Sequence, residues 1–340
     1  MPEHDAVEAA PQDLVLLAES ALRCWGKEGC EVRLVKMREN AVFRIVDRDR
    51  AFALRVHRQD YHSDVALRSE LQWMSALQAA GIDVPTIVPA LDGRLFVKAQ
   101  LREALAARQV DLFEWIDGRQ LGSSEAGLDR GLADVAGTYR MVGSLMARLH
   151  NQAAAWPLPS GFQRHHWDLE GLVGEQPLWG RFWELAALTG DERELLLQAR
   201  ERVRRELGAL AGSADANRCH GLIHADLVPE NLLLPADGRL RLIDFDDAGV
   251  GWHGFELATA LYFLQDDARY AAARAGLVAG YRVHRSLPDA DLERLPMFLA
   301  ARGFTYLGWV HTRPMSKDSL AITPLLIRLA CRQAERLLDT

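Results

Sequence analysis

The chain has 340 residues, 49% of them hydrophobic and 26% charged, and carries a formal net charge of -7. That length allows two lobes, each with its own core, and the acidic balance speaks against a nucleic-acid partner, which selects a basic face. The N-terminus is acidic without an apolar run, no window reaches the ~18 apolar residues of a membrane span, and Cys24, Cys30, Cys219 and Cys331 show no disulfide spacing. A cytoplasmic protein is expected, without membrane or nucleic-acid partners, its oligomeric state left open.

Residues 1–12 are expected to form a flexible tail. From Asp13 to Trp25 the apolar positions Leu14, Leu17, Ala18, Ala21 and Leu22 follow a helical stripe. The period then changes: 31–35, 41–46 and 51–56 are alternating or β-rich, separated by short polar stretches, which predicts an antiparallel three-stranded meander. A helix follows over 63–80, with Gly81 as its C-terminal stop. Val84 to Val97, with two prolines and an Asp92-Gly93 turn, suggests a hairpin. Val110 to Ile116 is a last strand, and Asp117-Gly118 a hinge. These boundaries give an N-terminal lobe over 13–116 and a C-terminal lobe over 117–340. The second lobe is mainly helical: a buried stripe over 132–149, a Trp- and Pro-rich loop over 156–180, a charged helix over 191–207, and helices from Phe255 onward. Two strands, near 231–234 and 240–245, interrupt them around an Ala236-Asp237-Gly238 turn.

The chemistry concentrates in His220-Gly-Leu-Ile-His224-Ala-Asp226-Leu-Val-Pro-Glu-Asn231, followed by Leu242-Ile-Asp244-Phe-Asp246. Asp226 sits in a loop, Asn231 five residues on, and the strand hairpin returns Asp244 beside Asn231. Two carboxylates and an amide oxygen thus converge. Such oxygen ligands suit Mg²⁺ bound together with phosphates, and the remaining carboxylate can orient a hydroxyl and accept its proton.

The pattern His-x-Asp-x-x-x-x-Asn, then Ile-Asp-x-x-Asp, resembles the aminoglycoside phosphotransferase and choline kinase superfamily. Its nearest versions are bacterial homoserine kinases of the second type and stress response kinase A. The resemblance implies an α+β, two-lobed, protein-kinase-like fold: a small lobe with an antiparallel sheet and a main helix, and a large helical lobe, with ATP between them. It implies Asp226 as catalytic base, Asn231 and Asp244 as magnesium ligands, and His224 as a brace of the loop. Glu256, where the family commonly has aspartate, implies a structural role in the same loop. On the nucleotide side the turn around Asn40 would cover phosphate, Arg55 would supply the cation where the family often has lysine, and Glu70 would pair with it. Glu114 and Ile116 would offer backbone groups to adenine. For the acceptor, Trp167, Asp168, Asp247, Arg302, Tyr306 and Trp309 are candidates, and Asp247 could bind an amine. A small-molecule hydroxyl acceptor is expected; a protein Ser/Thr kinase and a non-catalytic nucleotide-binding module are the alternatives.

One competing motif stands nearby. Gly249-Val-Gly251-Trp-His-Gly254 matches G-x-G-x-x-G between a strand and a helix. The strands before it form a hairpin rather than a parallel crossover unit, and Trp252 and His253 would crowd a pyrophosphate. A dinucleotide site is therefore not expected; the stretch stands where a kinase has its activation segment.

Overall fold

The computed structural model describes residues 11–102, 106–314 and 316–339. The chain forms two units; the first runs to Asp117 and regains Leu158–Gln163, and the second holds Gly118–Pro157 and Arg164 onward.

The first unit opens with helix α1 (Pro11–Ala21). Residues 1–10 of the expected tail lie outside the described residues, whereas Pro11 and Gln12 already belong to α1, proline being well suited to a first helical turn. Strands β1 (Glu31–Met37), β2 (Ala41–Asp47) and β3 (Arg50–Val56) form the meander; α2 (Asp64–Ala79) follows, capped by Ser63, whose Oγ accepts the Ala66 N–H at 3.1 Å. β4 (Phe96–Ala99) and β5 (Arg108–Glu114) complete an antiparallel sheet of order β1-β2-β3-β5-β4. Alternation assigns its two faces. Phe43, Ile45, Phe52, Leu54, Val56, Val110 and Leu112 pack with Leu17, Ala18 and Leu22 of α1. Arg55 and its cross-strand partner Asp111 project from the other face.

The expected 84–97 hairpin does not form as such. Its first arm lies along β5 instead, with Ile87 bridged to Phe113 and the Val88 N–H donated to the Leu112 carbonyl at 2.8 Å. Pro85 and Pro89 lack the donors a paired arm would need. β5 ends at Glu114, so Trp115 and Ile116 lie beyond it.

The second unit begins with short strands β6 (Arg119–Gln120), β7 (Gly122–Ser123) and β8 (Gly127–Leu128). Next come α3 (Val135–Ala155), β9 (His165–Trp167), α4 (Leu169–Val173), α5 (Gly190–Ala211) and α6 (Ala216–Cys219). Strands β10 (His220–Ile223), β11 (Leu232–Leu234), β12 (Arg241–Leu242) and β13 (Gly249–Trp252) frame the motif region. Helices α7 (His253–Tyr262), α8 (Tyr270–His284), α9 (Asp289–Glu293), α10 (Leu295–His311) and α11 (Lys317–Leu338) end the chain. Among the described residues no helix is long and apolar enough to cross a membrane.

Helices α3 and α8 approach closely because small residues line their seam. A Cβ at Gly143 would strike the Leu277 carbonyl oxygen, and one at Gly280 the Arg140 carbonyl oxygen. The G-x-G-x-x-G stretch is strand β13, antiparallel to β10 and parallel to β9. Its glycines answer to packing: a Cβ at Gly251 would lie 2.7 Å from both Ile223 and Trp167. Helix α7 begins one residue after that strand rather than at Phe255.

Candidate active site

The loop after β10 is assembled from strained backbone and buried side chains. Ala225 has φ +63° and Asp244 +67°, both in the left-handed region that non-glycine residues rarely adopt. Glu256 of α7, fully buried, accepts the Ala225 N–H on Oε2 at 2.9 Å, and burial pushes its pKa up to about 7. Burial pulls His224 down to about 4, so its ring is neutral. A carbonyl can only accept, so His224 Nε2–H donates to the Ile243 carbonyl at 3.1 Å and Nδ1 accepts the Asp226 N–H at 3.3 Å. One imidazole therefore ties the loop of Asp226 to the residue before Asp244.

Asn231 lies in the single turn Pro229–Asn231 just before β11, not on the strand itself. Its Nδ2 donates both hydrogens to Asp226, to the backbone oxygen at 2.9 Å and to Oδ2 at 2.8 Å. The amide oxygen is then the group Asn231 presents elsewhere. The Ile243 N–H donates to the Asn231 carbonyl at 3.0 Å, which brings Asp244 alongside. The donor set, an amide oxygen beside a carboxylate, fits a hard divalent cation.

The other Asp226 oxygen is held by Arg302 of α10. Nη2 donates to Asp226 Oδ1 at 2.7 Å and to the Tyr306 hydroxyl oxygen at 2.8 Å. Arg302 is 0% exposed, with the faces of Tyr306, Trp179 and Phe255 4.1, 5.0 and 5.3 Å from its guanidinium carbon. Burial opposes its charge, but Tyr306 and Asp226, with Asp247, outweigh that and raise its pKa further. Arg302, Tyr306 and Trp309 recur at helical spacing on one face of α10.

The segment after Asp244 is fixed through its carbonyls. Buried Arg164 donates to those of Phe245, Asp246 and Ala248, and Trp167 Nε1 to that of Asp247 at 2.9 Å. Sequence reasoning named Trp167 but missed Arg164. Trp167 is an interior residue, packed on Phe255 and Trp179, and Asp168 caps α4 by accepting the Gly171 N–H at 2.9 Å. Trp167, 0% exposed, is taken up by packing and leaves the candidate list, while Asp168 serves as a helix cap. Trp309, half-buried, lies under the Arg313 guanidinium.

In the first unit Arg55, 6% exposed, is clamped between two fully buried carboxylates. Nη2 meets Glu70 Oε1 and Asp111 Oδ2, each at 2.7 Å, and Nε meets Asp111 Oδ1 at 3.1 Å. His57 Nε2 lies 3.0 Å from Asp111. Burial alone would raise the Asp111 pKa; Arg55 and His57 outweigh it and hold it low. The Arg55–Glu70 pair matches the sequence expectation; Asp111 was missed, although its polar side chain interrupts an apolar strand directly across from Arg55. Asn40 braces its turn by accepting the Arg58 N–H at 3.0 Å. At the strand end the Glu114 N–H donates to Thr86 and the Trp115 N–H to Ala51, at 2.8 and 3.1 Å. Those two amides are therefore engaged, and the hinge expectation narrows to the carbonyls and to Ile116.

An Asp226 carboxylate held by the Asn231 amide, with the Asp244 backbone drawn alongside, is an arrangement suited to metal-assisted phosphoryl transfer. The chain belongs to the phosphotransferase enzyme family, whose profile matches residues 31–296. It is 33% identical to a microcompartment-associated aminopropanol kinase of solved structure, with a TM-score of 0.84 over 96% of this chain and 98% of that one. An amicoumacin kinase solved with AMP-PNP and Ca²⁺ shares the fold, at 21% identity, 96% and 94% coverage and a TM-score of 0.74. Among curated proteins, the homoserine kinase of Rhizobium etli is 28% identical over 68% of this chain and 63% of its own length. The fold is the α+β kinase-like fold, and the chain is a phosphotransferase with an alcohol group as acceptor.

Proposed function

We propose that this phosphotransferase moves the γ-phosphoryl group of ATP, in the presence of Mg²⁺, to the hydroxyl of a small amino alcohol. The observation carrying the reading is the Asp226 carboxylate, held by Asn231 on Oδ2 and Arg302 on Oδ1. A carboxylate fixed in this way can accept the proton of an acceptor hydroxyl as the new P–O bond forms and the bond to the β-phosphate oxygen breaks. Asn231 Oδ1 and Asp244 would hold the magnesium ion, whose charge neutralises phosphate oxygens. Arg55, kept in place by Glu70 and Asp111, would contact phosphate; the turn at Asn40 would cover it; and the strand end at Glu114 and Ile116 would face adenine. Asp247, which lies close enough to Arg302 to raise its pKa, would receive the acceptor's ammonium group, and Tyr306 and Trp309 would form the wall beside it.

The similarity to an aminopropanol kinase points to the acceptor class. The test is incubation with ATP, Mg²⁺ and, separately, 1-amino-2-propanol, homoserine, an aminoglycoside and casein, followed by phosphorus NMR and protein labelling. A phosphate monoester of the amino alcohol is expected. Transfer to casein alone would overturn the small-molecule reading.

A further inference from the structure

Arg302 stands in a largely apolar helix, Leu295–His311, and is completely buried there. A buried cation is expensive unless matched by a carboxylate and fully hydrogen-bonded. Here the match is incomplete: Nη2 bonds to Asp226 and Tyr306, while Nε and Nη1 have no hydrogen-bond partner among the described residues. Packing alone would favour an aliphatic residue at this position. What distinguishes arginine is the 2.7 Å contact with one oxygen of the carboxylate that meets the acceptor. Asn231 reaches the other oxygen at 2.8 Å. Either donor alone leaves the carboxylate free to turn about its Cβ–Cγ bond; the two together fix its plane. Aromatic faces on Tyr306, Trp179 and Phe255 keep the guanidinium from following any drift of Asp226.

We propose that Arg302 is a positioning residue for phosphoryl transfer, which fixes the rotation of Asp226 so that the acceptor oxygen is held in line. Arg302 acts through Asp226, and the inference rests on Asp226 being the group that orients the acceptor hydroxyl. Hydrolysis of ATP with water in place of the acceptor should need the same carboxylate, so the test is independent of which alcohol is natural.

The experiment is a double-mutant cycle on the full chain with Arg302→Met and Asp226→Asn, reading ATP hydrolysis and transfer to 1-amino-2-propanol. Arg302→Met is expected to lower kcat by about 100-fold with the ATP KM within about threefold. Added to Asp226→Asn, it should cost less than about threefold more, because its target is already disabled. Arg302→Lys, which keeps a charge without the planar fork, should recover about tenfold over methionine and guards against a folding defect in that variant. If Arg302→Met keeps kcat within about threefold, or its loss multiplies in full with that of Asp226→Asn, the proposal is overturned. If Asp226→Asn itself stays active, the base assignment fails instead, a separate result in the same data.

Discussion

Replacing Arg55 with alanine removes the guanidinium that bridges Glu70 and Asp111, both 0% exposed. Three hydrogen bonds disappear, at 2.7, 2.7 and 3.1 Å, and two fully buried carboxylates lose the guanidinium they share. Breaking a buried pair in this way costs about 3–5 kcal/mol. That is a large part of the roughly 5–15 kcal/mol that holds a domain folded, and corresponds to a fall in Tm of about 6–20 °C. The loss should depend on pH. In the parent the Asp111 pKa is held low, so its contribution is present above the unfolded pKa and disappears as pH falls through the folded one. In the variant, burial is opposed only by His57, so the folded pKa rises. The penalty is then full above that raised pKa and shrinks as pH falls toward the unfolded value. Denaturant unfolding of both proteins at about pH 5 and about pH 8 measures this. A loss below about 1 kcal/mol, or the same loss at both pH values, would refute the argument that Arg55 neutralises a buried acidic pair. Arg55→Lys should lose less, since it keeps charge but not the fork.

Glu256→Gln should flatten the pH profile of stability: the native pKa of about 7 means the folded state keeps a proton that the unfolded state has lost, so parent stability declines as pH rises from about 4.5 to about 7. Denaturation midpoints across that window check it, and parallel profiles would count against it. Gly280→Ala should destabilise by more than about 2 kcal/mol, since the new Cβ meets the Arg140 carbonyl oxygen and backbone must shift; thermal unfolding within about 1 °C of the parent would contradict the close approach of α3 and α8. Asp244→Ala should abolish the Mg²⁺ dependence of ATP binding in calorimetry, and equal dependence in the variant would discard Asp244 as a ligand.

What the sequence made legible follows from range. The meander, α2 and the loop of Asp226 rest on short-range pattern, and Asn231 and Asp244 are joined by a hairpin of a few residues. The Arg55–Glu70 pair follows from strand alternation plus the next helix. The misses are long-range pairs. Asp111 lies 56 residues from Arg55, and Arg302 76 residues from Asp226. Each left a trace: one acid in an apolar strand, one arginine in an apolar helix. A trace of that kind announces a buried partner without naming it. The glycines of β13 matched a phosphate-binding pattern that the sequence context already spoke against; close strand packing and phosphate binding both demand residues without a Cβ.

The four carbonyls from Phe245 to Ala248 are gripped by two side chains, Arg164 and Trp167. A carbonyl oxygen is common to every amino acid, so this grip is blind to which side chain the loop carries at Asp247. Position and chemistry are thereby separated: the scaffold dictates where residue 247 stands, and selection is free to choose what stands there. If Asp247 receives the acceptor as proposed, a single substitution there should change acceptor preference while Asp244, three residues earlier, keeps its place. A directed-evolution library seeking new alcohol substrates would start at 247 and leave 164 and 167 untouched.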